Sequence, residues 1–315
     1  MIPLEQALAN YLRIRRALGF TLERAERLLG QYVAYLHDHD VEVPTIEDAL
    51  AWARLPADAT PRWWAQRLGT VRAFAAHLHT LDPRVEVPPP GLLPSPPRRA
   101  TPYLYSPADI TAIIGAASTL PRPLGAATYQ TLIGLLAVTG MRVGEAIALD
   151  RDDLDADHDG LLRVRHGKFG KSRLVPLHPS TIAALQGYLR LRDELLPAPA
   201  SPALLVSTAG TRLRYNNIWR TFHRLVCRVG ITARSASCQP RIHDLRHSFA
   251  VQTMLDWYAS GADVPALLPR LSTYLGHTDP KHTYWYLQAA PELLTLAAHR
   301  LDAYQTGQGR QAGRP

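Results

Sequence analysis

Between residues 83 and 106 the chain reads PRVEVPPPGLLPSPPRRATPYLYS, where prolines crowd together and no apolar period survives. Proline fixes φ and lacks an amide hydrogen, so such a run stays extended and behaves as a semi-rigid spacer. The expected organisation is a helical domain over residues 1–84, a Pro-rich linker over 85–104, a larger domain over 105–305 and a flexible tail over 306–315. With 315 residues, 46% of them hydrophobic, the chain can build a substantial core, and its length suggests two domains more readily than one.

Upstream of the prolines, apolar residues recur at helical spacing over 4–17, 22–37, 46–54 and 61–80. Thr45 and Thr60 occupy N-cap positions, and Pro61 follows at the favoured first helical position. A small helical bundle results. Arg13, Arg15, Arg16, Arg62, Arg67 and Arg72 lie on these helices, where they could grip phosphates along one side of a duplex. Solvated outer faces account for any one of them equally well.

Downstream, Ser106 with Asp109 marks a helix start, and residues 124–139 form a nearly continuous apolar helix that must be core. Residues 161–177, LLRVRHGKFGKSRLVPL, alternate apolar and polar side chains about a glycine-containing turn and predict a β-hairpin. Helical patterns return over 179–195, 215–229, 243–258, 263–275 and 279–304. The second domain is therefore mainly α with a small antiparallel sheet.

A net charge of +8 makes a polyanion a natural partner. Cys227 and Cys238 have neither CxxC spacing nor enough companions for a zinc cage or a disulfide framework, which fits a reducing cytoplasm. The N-terminus has no apolar leader core, and no stretch reaches about 18 uncharged apolar residues, so a soluble, unprocessed, cytoplasmic protein is expected.

Four clusters carry chemistry. In HDLRH, helical spacing puts His243, Arg246 and His247 on one face, and three cation-capable groups in one turn call for a local anion such as phosphate. His243 and His247 also have the spacing of a zinc helix, but the glutamate of HExxH is missing and Arg246 would face the metal. In TGMRVGE, Gly140 ends the apolar helix and Arg142 is presented at a junction, with Glu145 one turn on to hold it. Lys168, Lys171 and Arg173 give the hairpin a basic tip, which serves as solvated decoration or as a carrier of one ammonium into a DNA groove. YLGHTDPKHTYWYL holds His277, Tyr284 and Tyr286, and aromatic residues at this spacing are commonly core.

Taken in order, an Arg in a TGxRxxE segment, a Lys in a basic hairpin, HxLRH, and LGH followed nine residues later by Tyr, these motifs resemble those of the tyrosine recombinases, also called the phage integrase family, which includes the Xer-type enzymes. The resemblance implies a helical core-binding domain followed by a catalytic domain of the DNA breaking-rejoining fold. It implies Arg142 and Arg246 as a phosphate clamp, Lys168 as general acid, His243 and His277 as acid/base and hydrogen-bonding groups, and Tyr286 as nucleophile, with Glu145 in support. Arg13, Arg16, Arg62, Arg67, Arg72, Lys171 and Arg173 are the expected DNA contacts. Phe169 replaces the glycine usual after the hairpin lysine, which leaves Lys168 and Lys171 both open as the acid. The stretch between HDLRH and LGH is also longer than is common in the family, and PKHTYWYL replaces a Thr-rich version. The implied function is strand cleavage and rejoining through a covalent 3′-phosphotyrosine, without metal or other cofactor, for a mobile element or for chromosome or plasmid resolution. Its partners are double-stranded DNA and three further copies in a homotetramer, with other recombinases as possible companions. The alternatives are an accessory DNA-binding subunit of a multi-recombinase element, a zinc hydrolase built on HDLRH, and a type IB topoisomerase.

Overall fold

The computed structural model describes residues 3–94, 101–155, 160–165, 172–277, 279 and 283–286, and it divides into two compact units, Met1–Arg99 and Ala100–Pro315.

The first unit contains α1 (Leu4–Ala17), α2 (Glu23–Asp38), α3 (Ile46–Arg54) and α4 (Pro61–Leu81), within a residue of the spans expected from periodicity. Their starts are set locally. Thr45 and Asp48 form a reciprocal capping box, and the Thr60 hydroxyl accepts from the Trp63 amide ahead of Pro61. The apolar faces close on Leu29, Leu36, Trp52, Val71 and Phe74.

Two expectations change here. The stretch expected to be linker begins as part of this unit: Val85 and Leu93 are buried in the same core, and Arg72 donates to the carbonyls of Pro88 at 2.7 Å and Pro89 at 2.9 Å. An extended proline segment makes no internal hydrogen bonds, so its carbonyls are open acceptors for a neighbouring guanidinium. Arg72 is thus engaged by its own chain. Arg67, expected on a DNA-facing surface, is buried instead; it donates to the Trp52 carbonyl at 2.8 Å and lies 3.7 Å over the Trp52 ring. Burial lowers its pKa. Arg67→Ala is expected to destabilise this unit by about 1–3 kcal/mol, because it removes one of the two donors to the Trp52 carbonyl and a desolvated cation–π contact. A thermal melt checks this against Arg13→Ala, a change at an exposed position that should leave the melt unaltered.

In the second unit, Tyr103 and Tyr105 are already core, and the Tyr105 amide donates to the Ser248 hydroxyl at 2.8 Å, so the expected linker also ends earlier than residue 104. Ser106 and Asp109 form the anticipated capping box at the start of α5 (Pro107–Ala117). Next come α6 (Pro123–Thr139), α7 (Val143–Ala148) and a three-stranded antiparallel sheet in order β1 (Leu154–Asp155), β2 (Leu161–Val164), β3 (Arg173–Pro176). β2 and β3 are the arms of the expected hairpin, paired Leu162 to Val175. β1 was not legible, since two residues carry no period. The unit continues with α8 (Pro179–Leu195), α9 (Tyr215–Arg228), α10 (Asp244–Ala259), α11 (Val264–Leu275) and a helical turn at 283–286. The rest of the helix expected over 279–304 lies outside the described residues. Leu132, Leu136, Leu204, Ile218 and Leu245 centre the main core, while Met254, Leu271, Leu275 and Tyr286 form a second cluster between α10, α11 and the 283–286 turn. Among the described residues no helix is long and apolar enough to cross a membrane.

Candidate active site

The site is organised by two helix ends in the left-handed conformation that favours glycine. α6 terminates at Gly140 with φ 59°, and a Cβ there would come 2.4 Å from the Phe249 ring. α11 terminates at Gly276 with φ 68°, where a Cβ would come 3.0 Å from Arg173 Nη1. Both ends offer unpaired carbonyls, and the two arginines singled out from sequence use them. Arg246, on the first turn of α10, donates through Nη1 to Gly140 O at 2.8 Å and through Nη2 to Leu275 O at 2.7 Å. Arg142, the residue preceding α7, donates through Nη2 to Gly276 O at 3.0 Å. Each guanidinium therefore braces the helix end from which the other half of the site departs.

Glu145 is the carboxylate beneath this arrangement, 5% exposed. It accepts from the Arg142 amide at 2.9 Å and Arg142 Nη1 at 2.7 Å, and it takes a two-pronged contact from Arg173, at 3.0 and 2.7 Å. Burial raises its pKa, but the bonds from Arg173 and Arg142 outweigh burial and hold it at about 2. A carboxyl held at 2 when folded and 4.5 when unfolded contributes stability that is complete above pH 4.5 and disappears as pH falls toward 2. The amount is on the order of 3 kcal/mol. Wild type should therefore lose thermal stability between pH 5 and about pH 3 more steeply than Glu145→Gln, which has no such proton to take up.

Arg173 requires a correction. The sequence suggested a cation at a solvated hairpin tip, but its side chain is 14% exposed, its fork is filled by Glu145, and its Nε donates to Tyr274 O at 2.9 Å. Lys168 and Lys171 lie outside the described residues, as do Pro280 and His282.

His277 and His243 are held in different ways. His277 Nε2 lies 2.9 Å from Arg246 Nη2, and a guanidinium only donates, so this nitrogen accepts and Nδ1–H donates to Thr283 Oγ1 at 2.7 Å. His243 caps α10, where burial first and then Arg246, Arg241 and Arg142 push its pKa down to about 4. Of the three cation-capable groups expected on one turn, Arg246 carries the charge and His243 is held neutral. The His247 ring stands 5.0 Å from that of His243 and 5.3 Å from that of Tyr286, in ring contact with both. Asp244, which occupies the place of the glutamate in a zinc helix, is fully buried and bound by both prongs of Arg241.

The two candidate tyrosines separate cleanly. Tyr284 is 49% exposed, whereas Tyr286 is 2% exposed, packed between His247 and a stacked His277 ring at 6.1 Å. Burial lowers the Arg246 guanidinium pKa to about 10, and Tyr286 is first among the neighbours that act in the opposite direction. Arg142, Glu145, His243, Arg246, His277 and Tyr286 are therefore gathered in one place from residues spread over 142–286. Arg13, Arg16 and Arg62 belong to the first unit, where all three are exposed and Arg16 pairs with Glu26 at 2.5 Å. Sequence reasoning missed Arg173 as a buried brace and Thr283 as the partner of His277. The placement of Arg173 at the start of an alternating strand was the one available signal for the former.

Residues 105–292 match the phage integrase family model. The chain belongs to the phage integrase family. It is a tyrosine-type site-specific DNA recombinase by that membership and by its relatives. The integrase/recombinase y4rB of Sinorhizobium fredii is 46% identical over 96% of this chain and 98% of its own length. The tyrosine recombinase XerD of Pseudomonas putida is 30% identical over 83% of this chain and 84% of its own. Among solved structures, the Tn1549 transposon integrase in complex with transposon right end DNA superposes with a TM-score of 0.63 at 15% identity, covering 96% of this chain and 100% of that one. At that identity the likeness speaks for the fold, which is that of the integrase family.

Proposed function

We propose that this recombinase cleaves and rejoins double-stranded DNA through a covalent 3′-phosphotyrosine on Tyr286, in a tetramer of four copies on two synapsed sites. The observation that carries this is the buried Tyr286 ring packed against His247 and His277, whose Nε2 meets Arg246 Nη2 at 2.9 Å, in a cluster that also holds Arg142 and His243. Tyr286 Oη attacks phosphorus; the P–Oη bond forms, the bond to the 5′-oxygen breaks, and the strand leaves with a 5′-hydroxyl. Arg142 and Arg246 present donors to nonbridging oxygens whose charge grows in the transition state, each typically contributing about 10²–10³ in rate. The phenol proton passes toward His243. That ring is neutral before DNA arrives, and a phosphate anion beside it raises its basicity. A hairpin lysine, Lys168 by its place in the motif, protonates the departing oxygen. The ester conserves the energy of the broken bond, so rejoining needs neither ATP nor a metal.

Placement on a mobile element draws on the Tn1549 integrase, whose structure contains transposon right end DNA. The exposed Arg13 and Arg62 of the first unit are the backbone contacts this reading retains there. One observation favours the accessory-subunit alternative: Tyr286 and Arg246 are each 2% exposed, so the chain by itself presents little of either to a substrate. Nicked duplexes carrying candidate sites decide between the two. Cleavage beside the nick releases a short 5′-hydroxyl fragment and traps the protein on the 3′-phosphate, and peptide mapping should place the DNA on Tyr286. Tight binding with no trapped protein at any bound site would replace the proposal with the accessory role.

A further inference from the structure

Arg173 opens β3, two residues beyond the segment that carries Lys168 and Lys171. Its guanidinium meets the Glu145 carboxylate in parallel, Nη1 to Oε1 at 3.0 Å and Nη2 to Oε2 at 2.7 Å, while Nε holds the Tyr274 carbonyl at 2.9 Å. A planar fork on a carboxylate fixes orientation as well as distance, which a single charge cannot do. The opposite side of the same guanidinium lies against Gly276, close enough that a Cβ would approach Nη1 to 3.0 Å.

These contacts converge on Arg142. Its guanidinium is oriented by two acceptors, Glu145 Oε1 at 2.7 Å and Gly276 O at 3.0 Å. The first is clamped by the Arg173 fork. The second belongs to the turn that Arg173 secures through Tyr274 and packs against. Without Arg173, the buried Glu145 keeps only the Arg142 contacts and is free to swing toward that guanidinium, drawing it away from a phosphate.

We infer that Arg173 is the positioning residue for Arg142, holding both of the acceptors that aim it and tying β3 to the phosphate clamp. This rests on the proposed role of Arg142 as part of that clamp. A direct DNA contact by Arg173 is disfavoured by its chemistry: its fork is filled and its side chain is 14% exposed, so reaching a phosphate would strip Glu145 of its counter-ion.

The test compares Arg173→Lys, Glu145→Gln and Arg142→Ala in the full chain on the trapping duplex. Three quantities are read: DNA affinity, the single-turnover rate of adduct formation at saturating DNA, and the dependence of that rate on pH. Arg173→Lys keeps the charge and loses the fork. It should bind DNA within about threefold of wild type, as a residue outside the phosphate contacts does, and form adduct roughly tenfold to a hundredfold more slowly, as misaimed groups do. Its rate should also gain an acid limb at higher pH than wild type. The groups left facing Glu145 are then Arg142 and the single ammonium that replaces the fork, with His243 and Arg246 beyond them, and they oppose burial less strongly than the fork did. A purely structural defect lowers the rate without moving the pH profile. Weaker binding with a wild-type rate at saturation would make Arg173 a DNA contact and overturn the inference. Should Arg173→Lys fail to fold, Glu145→Gln weakens the same fork from the other side and must show the slow rate with unchanged affinity, or the inference falls. If Arg142→Ala itself reacts at the wild-type rate, it is the clamp that has failed, whatever Arg173 does.

Discussion

Tyr286→Phe is expected to bind DNA with wild-type affinity and to form no detectable covalent adduct, a loss of roughly 10⁴-fold or more, as for removal of other enzymatic nucleophiles. The ring is 2% exposed and packs against His247 and His277, contacts that phenylalanine reproduces. Only the hydroxyl is lost, which limits the stability cost to about 1 kcal/mol. The comparison is Tyr284→Phe, two residues earlier and 49% exposed, which should react within about twofold of wild type because its hydroxyl faces solvent. Gel-resolved trapping on the nicked duplex, with a melt run alongside, reads both variants. An adduct of normal yield from Tyr286→Phe, or its loss from Tyr284→Phe, would move the nucleophile.

Arg246 combines the largest expected effects on stability and on rate in a single side chain. Replacing it with alanine leaves the buried carbonyls of Gly140 and Leu275 without their donor and removes the partner of His277 Nε2. Each orphaned group costs about 1–3 kcal/mol, so Arg246→Ala should lose roughly 3–5 kcal/mol in urea unfolding. Arg246→Lys keeps the charge, but one ammonium does not span two carbonyls and an imidazole in the geometry of the fork. It should recover part of the stability while the adduct rate stays down by about 10²–10³. Arg246→Ala unfolding at the wild-type midpoint would show that the brace contributes nothing, and a wild-type adduct rate would remove Arg246 from the chemistry.

Much of the fold was readable because its determinants are local. The capping boxes at Thr45 and Ser106, Pro61 at the first helical position and the glycine end of α6 each rest on residues within one turn of each other. The four motifs, through their resemblance to those of the tyrosine recombinases, likewise pointed to Arg142, His243, Arg246, His277 and Tyr286 as candidates. The weakest of these from local pattern alone was Tyr286, an aromatic in YWYL that belongs equally well to a core, and it is in fact core by burial as well as part of the site.

What the chain alone determined, then, is the succession of helices, the two arms of the hairpin and the identity of the candidate side chains. The tertiary structure decided which arginines are surface and which are struts. Arg67, Arg72 and Arg173 read like Arg13 and Arg62 in the sequence, yet each is consumed by acceptors brought to it from elsewhere: Trp52 O, Pro88 O and Pro89 O, and Glu145 with Tyr274 O. The reason is reach. A helix cap finds its partner three residues away, so pattern reveals it, whereas a guanidinium on a long side chain binds whatever carbonyl or carboxylate the packing leaves beside it. For Arg173 that includes a residue 101 positions further along the chain.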